Sequence, residues 1–400
     1  MKIITDEKKI DEVLDRGIIT NVLPSKEEFK KLLMSGKRIK IYIGFDATAE
    51  TLHLSHAKNI MLLEDFRKLG HEAVLLFGDF TARIGDPSDQ GGTRNILSKK
   101  DVLNNIKSWK KQIKNLISFN GFSNPAKVKF NSKWLAKLSM EDVLDLASKV
   151  TVQQMIERDM FQKRINEGKH IFLHEFMYPL MQGYDSVAMD VDVEMCGTDQ
   201  TFNALMGRTL LRKIKGKEKF VVTVNLMENP KTGELMSKTK GTGVFLNLSP
   251  SEMFGKIMAQ PDEMIEIFLI NCTRVSKDKI KEILKLEPIN AKKEMAKEIL
   301  SVIFSGIEAE KAEKNWENTF SKKEIPNEME QINCTKEEIL SEVLVKNKIL
   351  PSKGEWRRLV EGNAIHELVQ NINIRDFNFK VIENLTLKIG KKRFIKIIIK

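Results

Sequence analysis

Cysteine is scarce in this 400-residue chain, and the three present, Cys196, Cys272 and Cys334, lie far apart with no CxxC pair. That spacing argues against a disulfide framework and against a structural zinc site, and it makes a reducing cytoplasm the expected compartment. Long apolar runs are missing too: no stretch would span a bilayer, so no membrane partner is expected. The opening MKIITDEKKIDEVLDRG mixes charges and has no apolar core. It reads as neither a signal peptide nor, given its acids, a transit peptide. Internal repeats and low-complexity tracts are absent.

What is present is an ordinary globular composition, 42% hydrophobic and 30% charged, with a net charge of +11. At ~100–200 residues per domain the chain should hold more than one. The excess of cations suits a polyanionic partner, although a lysine-rich solvated surface would give the same total. The C-terminus shifts that balance, since Lys380–Lys400 carries seven basic residues against one acid, Glu383.

Residues 39–45, IKIYIGF, alternate like a strand with Ile39, Ile41 and Ile43 on one face. After the loop DATAETL, HLSHAKNIMLLEDFRKLG has helical spacing and stops at Gly70, and EAVLLFGDF reads as a second buried strand. Such a unit opens a parallel, nucleotide-binding α/β sheet, although many enzymes share it. Residues 99–195 read as mostly helical, and KFVVTVNL, 219–226, as a strand leading into the Gly/Lys/Thr-rich loop ENPKTGELMSKTKGTG. Residues 250–325 read as amphipathic helices, the polar stretch 326–335 as a linker, and 336–400 as a small basic domain of two helices and short strands.

Two motifs carry candidate chemistry. In HLSH, His53 and His56 sit three apart on one face at a helix N-terminus, where anions are favoured. Two imidazoles there can donate hydrogen bonds to ATP phosphates; two surface histidines or half a metal site give the same pattern. In MSKT, Lys238 lies on a Gly-bordered loop after a strand, where a lysine can close over pyrophosphate and let it go. Alone, that loop reads as solvated lysines.

Together the two motifs resemble the HIGH and KMSKS signatures of class I aminoacyl-tRNA synthetases, in the same order and context. The stretches YIGFDATAETLHLSH, GDFTARIGDPSDQGGTR, FNSKWL, HEFMYPLMQGYDSVAMDVDVEMCGTDQTFN and EMFGKIM are similar to bacterial tyrosyl-tRNA synthetases, and SEVLVKNKILPSKGEWRRLVEGNAI resembles a small RNA-binding fold named after a ribosomal protein. The likeness covers nearly the whole chain.

It implies an α/β fold with a Rossmann-type parallel-sheet catalytic domain over 1–249, which includes an insertion at about 120–190 where the family's homodimer interface lies and a KMSKS-like loop at about 228–243. An α-helical anticodon-side domain over 250–325, the linker and a small α+β RNA-binding domain over 336–400 follow. The implied activity is tyrosine–tRNA ligation through tyrosyl-adenylate, with ATP as substrate, Mg2+ arriving with it, tRNA(Tyr) and L-tyrosine as partners, and no zinc. The implied tyrosine site is Tyr42 and Asp185 at the phenol hydroxyl, Asp86, Tyr178 and Gln182 at the ammonium, and Gln200 near the carboxylate. Tyr178, Gln182 and Asp185 fall at i, i+4 and i+7, one helix face. For ATP the resemblance implies Asp46, Thr48, His53, His56, Gly197, Asp199, Met236, Ser237 and Lys238, with His53, His56, Thr48 and Lys238 catalytic. For tRNA, Lys353, Arg357 and Arg358 are the candidate phosphate contacts.

The chain departs from the family pattern at Ser55, where the motif has Gly; at Leu235, where KMSKS begins with Lys; at Cys196, where the first of two glycines is expected; and at Ala47 in place of Pro. Ser55 is expected to crowd ATP, and Leu235 to remove one phosphate-facing charge, for which Lys240 is a candidate substitute. Two alternatives follow. One is a catalytically weakened, synthetase-like RNA-binding protein. The other is a tryptophanyl or other class I enzyme, against which the Tyr42–Asp185 pair speaks.

Overall fold

The computed structural model describes residues 2–85, 97–121, 123–235, 243–320, 329–369, 372–390 and 393–399. The chain divides into two compact units, Met1–Ala309 and Glu310–Lys400.

The first unit is built on a six-stranded sheet. Its strands are β1 (Ile19–Leu23), β2 (Lys40–Asp46), β3 (Glu72–Gly78), β4 (Lys127–Phe130), β5 (Val193–Gly197) and β6 (Phe220–Val224), in the order β1-β6-β5-β2-β3-β4. All neighbours run parallel except β1, which pairs antiparallel with β6 at the edge. The expected parallel α/β sheet is therefore present. Ile41, Tyr42 and Ile43 are all buried, so β2 hides both faces and not the one that its alternation suggested. A parallel sheet covered by helices on both sides has this property. In β3 the run Ala73–Gly78 is buried throughout.

The strand order reverses at β2, with β3 on one side and β5 on the other. Loops leave the sheet in opposite directions there and open a crevice at the carboxyl ends. The helix Leu54–Lys68 follows β2, the helix Leu173–Met189 precedes β5, and the helix Thr201–Lys215 follows it. The stretch 99–195, expected to be mostly helical, contains β4 and most of β5. Both are short, and β4 shows only partial burial along KVKF, so neither carries a strong strand pattern.

Helices occupy most of 250–320, in line with the helical reading, and those before Ala309 cluster with the first unit. The second unit holds a five-stranded sheet ordered β7-β11-β10-β8-β9: β7 (Glu330–Cys334), β8 (Ile365–Glu367), β9 (Ile372–Asn373), β10 (Leu385–Ile389) and β11 (Arg393–Ile399). The helices Leu340–Lys346 and Lys353–Glu361 pack on it around Trp356. Residues 330–334, read from sequence as linker, are thus a strand, parallel to β11. Only Ile332 and Cys334 of that strand face the core, which is too short an alternation to stand out.

Candidate active site

The crevice at the switch point is a cavity of about 290 Å3. Tyr42 reaches it from the middle of β2, and Asp46 and Thr48 from the end of β2 and the turn beyond. Tyr178, Gln182 and Asp185 enter from the Leu173–Met189 helix, as their four- and three-residue spacing requires. Gly197, Asp199 and Gln200 close the side beyond β5.

At the floor, Asp185 is 3% exposed. Its carboxylate accepts hydrogen bonds from Trp134 Nε1 (2.7 Å) and Asn131 Nδ2 (3.3 Å). Burial pushes the Asp185 pKa well above the usual carboxylate range against the pull of those two donors. Tyr42 is 1% exposed, with its hydroxyl 3.0 Å from Ser186 Oγ. Burial, with Glu194 and Asp185 nearby, raises its pKa well above that of an ordinary phenol, so it stays protonated. Two buried, oriented polar groups thus stand at the floor, an arrangement suited to a ligand hydroxyl.

Higher up, Tyr178 donates to Asp46 Oδ2 at 2.9 Å and Thr81 donates to Asp46 Oδ1 at 2.6 Å. The resemblance assigned Tyr178 to tyrosine and Asp46 to ATP; the hydrogen bond joins these two residues. Glycine at position 78 leaves room for this carboxylate, because a Cβ there would lie 1.9 Å from Asp46 Oδ1 and displace it. Gln182 is pinned at both ends of its amide, accepting from Asn203 Nδ2 (2.9 Å) and donating to Glu194 Oε1 (3.3 Å). Gln200 accepts from Asn203 and donates to Asp199 Oδ2 at 3.1 Å.

His53 caps the Leu54–Lys68 helix, and the His56 ring lies 4.0 Å from it, centroid to centroid. His56 lines the cavity, as does Ser55. The His56 Nδ1 accepts the His53 backbone N–H at 3.4 Å, which leaves Nε2 as the donor of a neutral ring. Burial, followed by the Lys58 ammonium, lowers the His53 pKa to about 4; burial and His53 lower that of His56 well below 6.5. Both rings are uncharged at neutral pH. Lys58 donates to the Asn225 carbonyl and side chain and ties the end of β6 to this helix.

Asp86, Met236, Ser237, Lys238 and Lys240 lie outside the described residues. Leu235 is half exposed and bridges Glu228. Lys353, Arg357 and Arg358 are exposed on their helix in the second unit, where Lys353 pairs with Glu342 and Arg358 with Glu355. Sequence reasoning assigned no role to Asn131, Trp134, Ser186, Glu194, Asn203 or Lys219. Asn131 and Trp134 stood in the quoted FNSKWL. Ser186, Glu194 and Asn203 stood in the quoted stretch around Asp185.

The chain matches the family described as tRNA synthetases class I (W and Y) over residues 34–322. It is 40% identical to a tyrosine–tRNA ligase of Carboxydothermus hydrogenoformans, across 99% of both chains. It is 36% identical to that of Aquifex aeolicus, across 99% of this chain and all of the other. Among solved structures, a C-terminally truncated mitochondrial tyrosyl-tRNA synthetase of Aspergillus nidulans shares the fold with a TM-score of 0.67 at 22% identity, covering 78% of this chain and 94% of its own. Nothing in these relationships favours the weakened RNA-binding reading. The chain belongs to the tyrosine–tRNA ligases of the class I aminoacyl-tRNA synthetases.

Proposed function

We propose that the switch-point cavity is where this ligase activates tyrosine, with Tyr42 and Asp185 bracketing the phenol hydroxyl. The observation that carries this reading is the pair of buried, oriented polar groups on the cavity floor. Phenylalanine would leave the hydrogen-bonding capacity that each turns toward the ligand unused, at about 1–3 kcal/mol for each. Tyr178 and Gln182, with Asp86, hold the ammonium, and Gln200 faces the carboxylate. ATP, carried as its magnesium complex, takes the other side against Asp46, Thr48, Gly197 and Asp199.

The reaction needs no general base, because the substrate carboxylate is already ionised at pH 7. It attacks the α-phosphorus, forms the acyl–phosphate bond and expels pyrophosphate. His53 and His56 act as neutral N–H donors to the phosphates, Thr48 assists, and Lys238 closes over the leaving group with Met236 and Ser237. A tRNA terminal ribose hydroxyl then attacks the adenylate carbonyl and releases AMP.

Residues 250–325 serve the anticodon side, and Lys353, Arg357 and Arg358 contact tRNA phosphates; their exposure supports this. A homodimer forms through the insertion, where Met140, Leu144, Val152, Ile165, Phe172 and Leu173 are all exposed, Leu173 by 76%. So much apolar side chain in one stretch suits a partner surface. The three buried free thiols suit a reducing cytoplasm.

The test is ATP–pyrophosphate exchange with tyrosine, phenylalanine and tryptophan in parallel. Exchange is expected with tyrosine alone. Asp185→Ala should lower kcat/KM for tyrosine by about 10²-fold and narrow the gap to phenylalanine. If the variant rejects phenylalanine as strongly as before, the pocket assignment is wrong.

A further inference from the structure

At the base of the cavity lies a charged cluster to which the sequence reading assigned no role. Lys219, one residue before β6, is 0% exposed at its side chain and forms an ion pair with Glu194 of β5, itself 2% exposed. The same ammonium donates to Ser186 Oγ at 2.6 Å. Ser186 is fully buried, with its hydroxyl 3.0 Å from Tyr42 Oη and 3.2 Å from Glu194 Oε2. The other oxygen of Glu194 accepts the Gln182 amide.

A buried ion pair is expensive to desolvate and is weak evidence of stabilisation by itself. This one is built into the packing. On the Thr201–Lys215 helix, a Cβ at Gly207 would lie 2.6 Å from Lys219 Nζ and 2.9 Å from Ser186 Oγ, so glycine there makes room for it. Lys219 Nζ also stands 5.9 Å from the centre of the Tyr42 ring. Its three donors face Ser186 Oγ and Glu194 Oε2, and these two side chains in turn contact two different walls of the cavity, Tyr42 and Gln182.

We propose that Lys219 is a positioning residue for tyrosine recognition. Acting through Ser186 it fixes the Tyr42 hydroxyl, and acting through Glu194 it fixes the Gln182 amide, so one buried cation sets both the phenol end and the ammonium end of the amino-acid site. Neutralising Glu194 also keeps an unpaired carboxylate from facing the substrate. The inference rests on the cavity being the tyrosine site, as proposed above. It assigns Lys219 no contact with substrate and no step in the chemistry.

The experiment is exchange kinetics on the full chain carrying Lys219→Met, with tyrosine and ATP varied in turn. The expected result is a rise of about tenfold or more in KM for tyrosine, with kcat and KM for ATP changed by less than about threefold. Glu194→Gln combined with Lys219→Met removes both charges and should return KM for tyrosine to within about threefold of the parent. An unchanged tyrosine KM in the single variant overturns the proposal. So does an equal loss in all three constants, or a double variant as impaired as the single. Should Lys219→Met not fold, Ser186→Ala carries the test, since it deletes the hydroxyl that joins Lys219 to Tyr42 and keeps both members of the Lys219–Glu194 pair: a raised tyrosine KM supports the proposal and an unchanged one overturns it. Asp185→Ala run alongside separates the two claims. If it too leaves tyrosine KM unchanged, the pocket reading is at fault; if it alone raises KM, only the role of Lys219 falls.

Discussion

The two sheets of the molecule handle charge differently. In the first, Glu194 lies inside β5, Lys219 at the entrance to β6 and Asp185 beside them, all within 3% of complete burial and all linked to the cavity wall. In the second, the interior around Trp356, Leu387 and Ile397 is apolar. Its buried carboxylate, Glu367, accepts a backbone N–H from Thr386, and its cations Lys353, Arg357 and Arg358 stand in solvent. Buried charge is costly unless paired, and a low dielectric makes each misplaced partner more costly still. That suits a pocket that must tell one hydroxyl from none. Exposed cations attract phosphate at long range and tolerate many geometries, which suits a surface for nucleic acid.

The largest test of this division is Trp356→Ala. The indole is 1% exposed and donates to the Phe377 carbonyl at 3.0 Å, so its loss should destabilise the second unit by about 3–5 kcal/mol. Tyrosine-dependent exchange should be unchanged while tRNA charging falls. Parallel losses in both assays would break the comparison.

Next comes pH. In the first unit, burial lowers the pKa of His71 to about 4, and both its ring nitrogens lack a hydrogen-bond partner among the described residues; His53 is lowered to about 4 as well. Unfolded histidine titrates near ~6.5, so between that value and about 4 the unfolded chain binds more protons. These groups contribute stability in full above ~6.5 and lose it as pH falls toward 4. Taking the first unit from pH 7 to pH 5 should cost about 2 kcal/mol at His71, and His71→Leu should flatten that slope in urea titrations. The second unit holds one histidine, the part-exposed His366. An equal pH slope in its own unfolding transition would remove the contrast.

The same contrast governs what could be read from the sequence. Strand β2 announces itself by its alternation, β3 by its unbroken apolar run, and the helix Leu54–Lys68 by its own period. Asp185, Gln182 and Tyr178 were legible because polar residues at helical spacing are out of place in a core. The edge strand β1 buries Val22 alone among its five residues, and β7 shows two inward side chains, so neither rises above the background. Lys219 was illegible for a different reason. A lysine at the entrance to a strand ordinarily points to water, and only the approach of Ser186 and Glu194, distant in sequence, turns it inward. The Asn131 and Trp134 donors depend on the same kind of long-range meeting with Asp185.

The smallest effect expected is at Ser55, where the family carries glycine between its two signature histidines. Ser55 lies in the first turn of its helix and lines the cavity next to His56. If that wall receives the adenine ring, the hydroxymethyl group keeps ring and backbone apart, and Ser55→Gly should lower KM for ATP by about threefold while KM for tyrosine stays the same. Glycine also loosens the helix by up to about 1 kcal/mol, less in a first turn than at its middle. A small fall in thermal stability should therefore accompany the gain. Exchange kinetics with ATP varied at saturating tyrosine separate the two effects. A lower stability with an unaltered ATP constant would mean that serine is tolerated because the ring does not approach this wall. The departure from the family pattern would then be neutral for ATP, and the difference in substrate handling between the two ends of the cavity would rest on the buried charges alone.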